Sequence, residues 1–244
     1  MPILHVHLLP TLVAEEALAG ATAVVIDVLR ATTTIVHALA SGAEQVVPCL
    51  MIEDAQAAAA VLPEGEAVLG GERDGIKIEG FDLGNSPSEY TAETVGGRTV
   101  VFTTTNGTRA MMRCQQAREV LLAALVNRQA VVRALLESED IHIVCAGTRG
   151  EITREDVLLA GGLVEGLAKA GSKREMNDEA GLALDAWQAA RALAGGLKAA
   201  LAASQGGRNL VAEGFAADIA TAAQLDRFTL VPRLTWPEGV IRAS

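Results

Sequence analysis

Three short segments of the chain gather hydroxyls, amides, glycines and guanidinium groups in patterns that suit a bound anion. They are Asp27-Val28-Leu29-Arg30-Ala31-Thr32-Thr33-Thr34, Thr104-Thr105-Asn106-Gly107-Thr108-Arg109 and Cys145-Ala146-Gly147-Thr148-Arg149. Each follows an apolar, strand-like run and precedes a helix-like one. In an open α/β sheet the carboxyl ends of parallel strands form the ligand crevice. Backbone N–H groups at a helix start, flanked by hydroxyls and a guanidinium, bind phosphate, sulfonate or carboxylate. Three such segments predict a site for a small molecule carrying several negative charges.

Asp27 ends the apolar run Val24-Val25-Ile26. A buried carboxylate needs a cation, a metal or a hydrogen-bond donor. Arg30 is the nearest partner in sequence, so an ordinary Asp–Arg pair holding the turn is the simpler alternative to a catalytic role. The aspartyl-phosphate pattern DxDx[TV] would need a second Asp at position 29, which is Leu29. A ligand for a hard, oxygen-preferring cation such as Mg²⁺ therefore suits Asp27 better than a nucleophile. Further acids come from the Gly-rich segment Gly71 to Glu89, notably Glu72, Glu79 and Asp82, which could equally be solvated surface charges. A loop this long is usually functional or disordered, and Ile76, Ile78, Phe81 and Leu83 argue for order.

Asn106-Gly107 with a neighbouring Thr also fits an ordinary capped turn. Cys145 and Arg149 have three residues between them, whereas a thiol-phosphatase loop has five, so Cys145 reads as a small buried apolar residue. Thr153 three residues before Asp156 resembles an acidic form of the capping box. His5, His7, His37 and His142 fit no ligand spacing; His5 and His7 share a strand face and read as edge residues.

The positioning elements follow from pattern. Strands are expected at Ile3–Leu8, Ala23–Val28, Glu44–Pro48, from Ala67, at Arg98–Thr103, Glu119–Ala123 and Ile141–Cys145. Helices are expected at Thr32–Ser41, Glu53–Leu62, from Thr108, at Asn127–Glu137, Asp178–Ala203 and Glu213–Leu225. Phe228–Val231 reads as a last strand at the sheet edge. Strands alternating with helices of this length predict an α/β fold, three-layer α/β/α with a largely parallel or mixed central sheet. Nothing in composition marks a linker, so residues 1–244 read as a single domain.

The chain has 244 residues, of which 50% are hydrophobic and 3% aromatic, with a formal net charge of −10. Few aromatics argue against base stacking, and the negative charge argues against nucleic acid and anionic membranes as partners. A divalent metal or a local Arg cluster must then reverse the field at an anion site. There is no run of about 18 uncharged apolar residues and no secretory leader pattern. Three widely spaced cysteines fit a reducing compartment, so the expected location is cytoplasmic. Homo-oligomerisation stays open.

Together with Gly71-Glu72-Arg73 and Lys77-Ile78-Glu79-Gly80-Phe81-Asp82-Leu83-Gly84-Asn85-Ser86-Pro87, the three segments resemble the 2-phosphosulfolactate phosphatase family of coenzyme M biosynthesis, in order from about Val24 to Pro232. The resemblance implies a Mg²⁺-dependent phosphoric monoester hydrolase releasing sulfolactate and phosphate. Asp27, Arg30, Glu72, Asp82, Asn106, Arg109 and Thr148 match its motifs. From their chemistry we expect Asp27, Arg30, Glu72 and Asn106 to be catalytic. Arg30, Thr32, Thr33, Asn106, Gly107, Thr108, Arg109, Gly147 and Thr148 would bind substrate, and Asp27, Glu72, Glu79 and Asp82 would bind metal. Two positions depart from the family pattern. Gln205-Gly206-Gly207 follows Ser204 where His-Gly is expected, and Arg154 stands where an apolar residue is usual. A broader phosphatase for 2-phospho-hydroxy acids and a non-catalytic organic-anion binder are the alternatives.

Overall fold

Runs rich in Val and Ile make the strands and Ala-rich runs make the helices, in a computed structural model that describes residues 1–244. The strands are β1 (Ile3–His7), β2 (Thr22–Ile26), β3 (Gln45–Pro48), β4 (Ala67–Arg73), β5 (Ile76–Lys77), β6 (Thr99–Thr103), β7 (Glu119–Ala123), β8 (Asp140–Cys145), β9 (Glu175–Met176), β10 (Pro232–Thr235) and β11 (Val240–Ala243). The helices are α1 (Ala31–Ala40), α2 (Ile52–Ala60), α3 (Ala92–Val95), α4 (Gly107–Arg113), α5 (Arg128–Ala134), α6 (Arg154–Lys169), α7 (Asp178–Arg191), α8 (Gly196–Ala202), α9 (Gln205–Ala212) and α10 (Ala216–Ala222).

All eleven strands join one mixed, largely parallel sheet, in the order β5-β4-β6-β3-β11-β10-β7-β2-β8-β1-β9. Helices cover both faces, giving the three-layer α/β/α arrangement. On one face Val24, Ile26, Ile143 and Cys145 pack against Leu159, Leu163 and Trp187 of α6 and α7. On the other, Ala23, Val25, Val100 and Phe102 pack against Ile35 and Ala38 of α1 and Met111 of α4. Strands β2, β6 and β8 are buried at nearly every position, as strands covered on both faces must be.

The C-terminal segment departs from expectation. Phe228–Val231 forms no strand. The chain instead enters the middle of the sheet after it, where the β10–β11 hairpin pairs antiparallel with β7 on one side and β3 on the other. Pro232 reads as a strand breaker, but Leu234 and Ile241 beyond it are buried core residues, and that burial decides where the hairpin goes. The insertion makes β4, β6 and β3 run opposite to β7, β2 and β8 along the ladder. From β6 to β2 there are five strand-to-strand steps. At about 20–25° of twist each, they rotate the two groups by roughly 100–125°, so the carboxyl ends of both can reach one site.

The expected helix Asp178–Ala203 is broken after Arg191, where Gly195 and Gly196 adopt positive φ. Gln205–Ala212 is a helix of its own, and the next begins at Ala216 rather than Glu213.

Candidate active site

The carboxyl ends of β2, β4, β6 and β8 meet at a cleft whose lining includes Asp27, Arg30, Glu72, Asn85, Thr105, Asn106, Thr148, Arg149, Gly206 and Asn209. Only two of its fifteen lining residues are hydrophobic, Leu29 and Leu210, so the cleft suits a polar ligand.

Asp27 sits at its floor, just after β2. Its Oδ1 accepts the N–H of Ala31 at 3.2 Å in the first turn of α1. Its Oδ2 comes so near α4 that a Cβ on Gly107 would lie 2.8 Å away and also meet the Ala31 methyl at 2.5 Å. Glycine at 107 is what allows the approach. Burial pushes the Asp27 carboxyl up from 3.8 to about 7; the Ala31 hydrogen bond opposes this, and the charges of Glu72 and Glu155 reinforce it.

Two further buried carboxylates come from the first turn of α6. Asp156 Oδ1 accepts the N–H of Val28 at 2.9 Å, and its Oδ2 accepts the N–H of Gly147 at 3.0 Å. Asp156 thus ties the β2 loop to the β8 loop, and Gly147 supplies the left-handed turn there (φ +64°). Helix α6 has no reciprocal capping box, because this carboxylate is spent on Val28 and Gly147. Burial holds the Asp156 carboxyl well above its ordinary range, with Asp27 and Glu155 adding to the effect. The Glu155 carboxyl is also raised by burial, and its Oε2 is buried with no hydrogen-bond partner.

Glu72, at the end of β4, joins two loops. It accepts the N–H groups of Gly75 and Thr105, each at 2.7 Å, and the Thr105 hydroxyl at 3.2 Å. Arg30 does not pair with Asp27. Its Nη1 reaches Asp218 at 2.7 Å, its Nη2 donates to the Gly75 carbonyl at 3.2 Å, and its guanidinium lies 4.3 Å over the Phe215 ring. Asp218 also accepts from Ser86. Asn106 Oδ1 accepts the N–H of Arg149, and Arg149 pairs with Asp74 at 2.8 Å on the exposed rim.

The structure therefore brings Asp27, Arg30, Glu72, Asn106 and Thr148 to one cleft, with Gly107 and Gly147 in the backbone just behind it. Other expected residues lie elsewhere. Thr32 and Thr33 are buried and their hydroxyls donate to the carbonyls of Asp27, Ala123 and Val28. The Thr108 hydroxyl accepts the N–H of Thr104. Arg109 is exposed and faces shallow grooves beside Leu50. Glu79 is exposed, and Asp82 accepts the N–H of Leu69 at 2.8 Å. Glu155, Asp156, Asn85 and Asp218 escaped the sequence reading. Of these, Asp156 gave a signal through its spacing from Thr153, and Asn85 stood in the Gly-rich segment that carries the family resemblance. Cys145 is fully buried and its thiol is pushed well above 9 by burial, so it supplies no thiolate. Gln205 is exposed and bonds Asn209 and Arg208 on its own helix.

The acids offer hard oxygen donors, the ligand type a cation such as Mg²⁺ prefers. Asp27 and Glu72 line the cleft, and Glu155 is buried near enough for its charge to raise the Asp27 carboxyl. The one buried guanidinium near them is neutralised by Asp218, and one oxygen of Glu155 has no partner at all.

Comparison with known proteins gives a consistent result. A family model described as 2-phosphosulpholactate phosphatase matches residues 7–236. A protein of Symbiobacterium thermophilum named "Probable 2-phosphosulfolactate phosphatase" is 46% identical over 227 residues, covering 93% of this chain and 96% of the relative. A protein of the same name from Deinococcus radiodurans is 44% identical over 227 residues, covering 90% and 92%. One from Caldanaerobacter subterraneus subsp. tengcongensis is 40% identical over 222 residues, covering 91% and 90%.

Proposed function

The chain belongs to the 2-phosphosulfolactate phosphatase family, and from that premise we propose that it hydrolyses 2-phosphosulfolactate to sulfolactate and phosphate with the help of Mg²⁺. One observation carries the reading: Asp27 and Glu72 line the cleft beside Arg30, whose charge is already taken by Asp218, and the buried Glu155 adds its charge to theirs with no cation to match it. A substrate bearing phosphate, sulfonate and carboxylate would be repelled from a floor so negative unless a divalent cation lay between them.

Asp27 and Glu155 would hold the ion, with Glu72 as a third donor. When bound, Mg²⁺ supplies charge withdrawal from the phosphoryl oxygens and a lowered pKa for an attacking water. Arg30 is fixed by Asp218, Phe215 and the Gly75 carbonyl before any ligand arrives, so it can bind an anionic group of the substrate with little ordering cost. Arg149 offers a second guanidinium at the rim, able to exchange Asp74 for a substrate anion. The side-chain amides of Asn85, Asn106 and Asn209 add neutral polar groups to the cleft wall. With Cys145 buried as a thiol and no second Asp at position 29, direct attack by water is the step this site favours.

The test is phosphate release from 2-phosphosulfolactate in Mg²⁺ and again in excess EDTA. Release in Mg²⁺ that stops with EDTA supports the proposal, and no release by folded protein refutes it. Phospholactate and phosphoglycolate measure how much the sulfonate matters. A site that pairs its donors with the sulfonate should prefer the true substrate by about 10⁴-fold or more.

A further inference from the structure

Away from the cleft, on the opposite half of β8, three of the four histidines meet. His5 and His7 lie on one face of β1, and His142 of β8 is in register with His5. The His7 and His142 rings stack with centroids 5.1 Å apart, and the His5 ring lies 5.1 Å from His142 and 6.1 Å from His7. His7 Nε2 is 2.9 Å from His142 Nδ1. One nitrogen from each of the three rings lies within 4.8 Å of the others.

We infer that His5, His7 and His142 form a binding site for a borderline divalent cation such as Zn²⁺, clasping β1 to β8. Three imidazoles are the ligand type such cations prefer, at about 2.0–2.1 Å for Zn–N, with water free to take a fourth position. A hard cation such as Mg²⁺ prefers oxygen and is not selected here. A second observation supports ligation. Asp140, on the same face of β8 two residues before His142, places its Oδ1 3.1 Å from His142 Nε2, which can donate to it. A carboxylate on the far nitrogen of a metal-binding histidine fixes the tautomer and makes the near nitrogen a better donor. With the proton of His142 held on Nε2 towards Asp140, its Nδ1 lone pair faces His7.

The test is calorimetric titration of the tag-free protein with ZnCl₂, in excess Mg²⁺ so that the carboxylate cleft is blocked, alongside thermal melting. One Zn²⁺ per chain and a Zn²⁺-dependent rise in Tm are expected. Both should disappear in the double variant His5→Gln/His7→Gln, whose partly exposed positions tolerate the change. Asp140→Asn should weaken Zn²⁺ binding by about 10–100-fold. In all three proteins phosphatase activity in Mg²⁺ should be unchanged, which separates this site from the cleft. No Zn²⁺ binding by the parent protein, or equal binding by the double variant, overturns the inference.

Discussion

The Arg30 guanidinium meets the Asp218 carboxylate at 2.7 Å across 188 positions of sequence, and both side chains are almost wholly buried. The pair presets an anion-binding group at the cleft and joins α10 to the loop after β2. Asp218→Asn leaves Arg30 charged without its counterion. Losing one partner of a buried pair costs about 3–5 kcal/mol, so Tm should fall by roughly 6 °C or more for a chain this long. An anion in the cleft replaces part of the lost charge. Inorganic phosphate should therefore raise the Tm of Asp218→Asn more than that of the parent protein. Equal shifts would place Arg30 outside the anion site.

Asp27 makes stability depend on pH in a defined direction. Its carboxyl titrates near 7 in the folded protein, against an ordinary value of 3.8. Between those values the folded state holds a proton that the unfolded chain has released. Stability should therefore fall as pH rises from about 4 to 7. A cation bound at the cleft favours the ionised carboxylate and should remove most of that slope. Asp27→Asn should flatten the slope in EDTA, raise Tm at pH 8 and lower hydrolysis by about 10³-fold. Melting curves at several pH values, with and without Mg²⁺, read all of this.

Gly206 controls where Glu155 can sit. A Cβ on residue 206 would lie 2.1 Å from Glu155 Oε1 and 3.0 Å from its Cδ. Gly206→Ala must push that carboxylate aside, while the fold can accommodate the methyl by moving a side-chain end. A displacement of about 1 Å at a catalytic group costs on the order of 10²-fold. Hydrolysis should fall by that factor with the circular dichroism spectrum unchanged. Unchanged hydrolysis would remove Glu155 from the site.

What the sequence made legible was the local part of this arrangement. The apolar runs ending at Asp27, Thr103 and Cys145 announced both the strands and the loops after them, because strand burial and loop chemistry are adjacent in the chain. Contacts made across long separations were silent. Asp218 approaches Arg30 from a helix near the other end of the chain, and Glu155 comes up against Asp27 electrostatically from the first turn of α6, where an acid needs no explanation beyond the helix dipole. Arg109 misled for the same reason. In sequence it completes the Thr-Asn-Gly-Thr-Arg segment, but as the third residue of α4 it faces solvent beside Leu50. The central hairpin was hidden because Pro232 resembles an ending and only the burial of Leu234 and Ile241 reveals a continuation. His5, His7 and His142 looked scattered because strand register, rather than spacing, brings them together.

Glu72 offers two separable roles, and Glu72→Gln distinguishes them. Its carboxylate accepts the N–H groups of both Gly75 and Thr105. A glutamine keeps one acceptor oxygen and turns an NH₂ towards the other donor, leaving that N–H unpaired at a cost of about 1–3 kcal/mol. Tm should fall by roughly 2–12 °C whichever role is correct. The magnesium dependence decides between them. If Glu72 donates to the ion, the Mg²⁺ concentration for half-maximal rate should rise about 10-fold or more, because one anionic oxygen ligand is lost from a site of three. If Glu72 only ties the β4 loop to the β6 loop, the maximal rate should fall with that concentration unchanged. We expect the first result, since Glu72 lines the cleft together with Asp27 and its charge reinforces the high pKa there. Initial rates over a magnesium titration, for the parent and Glu72→Gln proteins, give the answer directly.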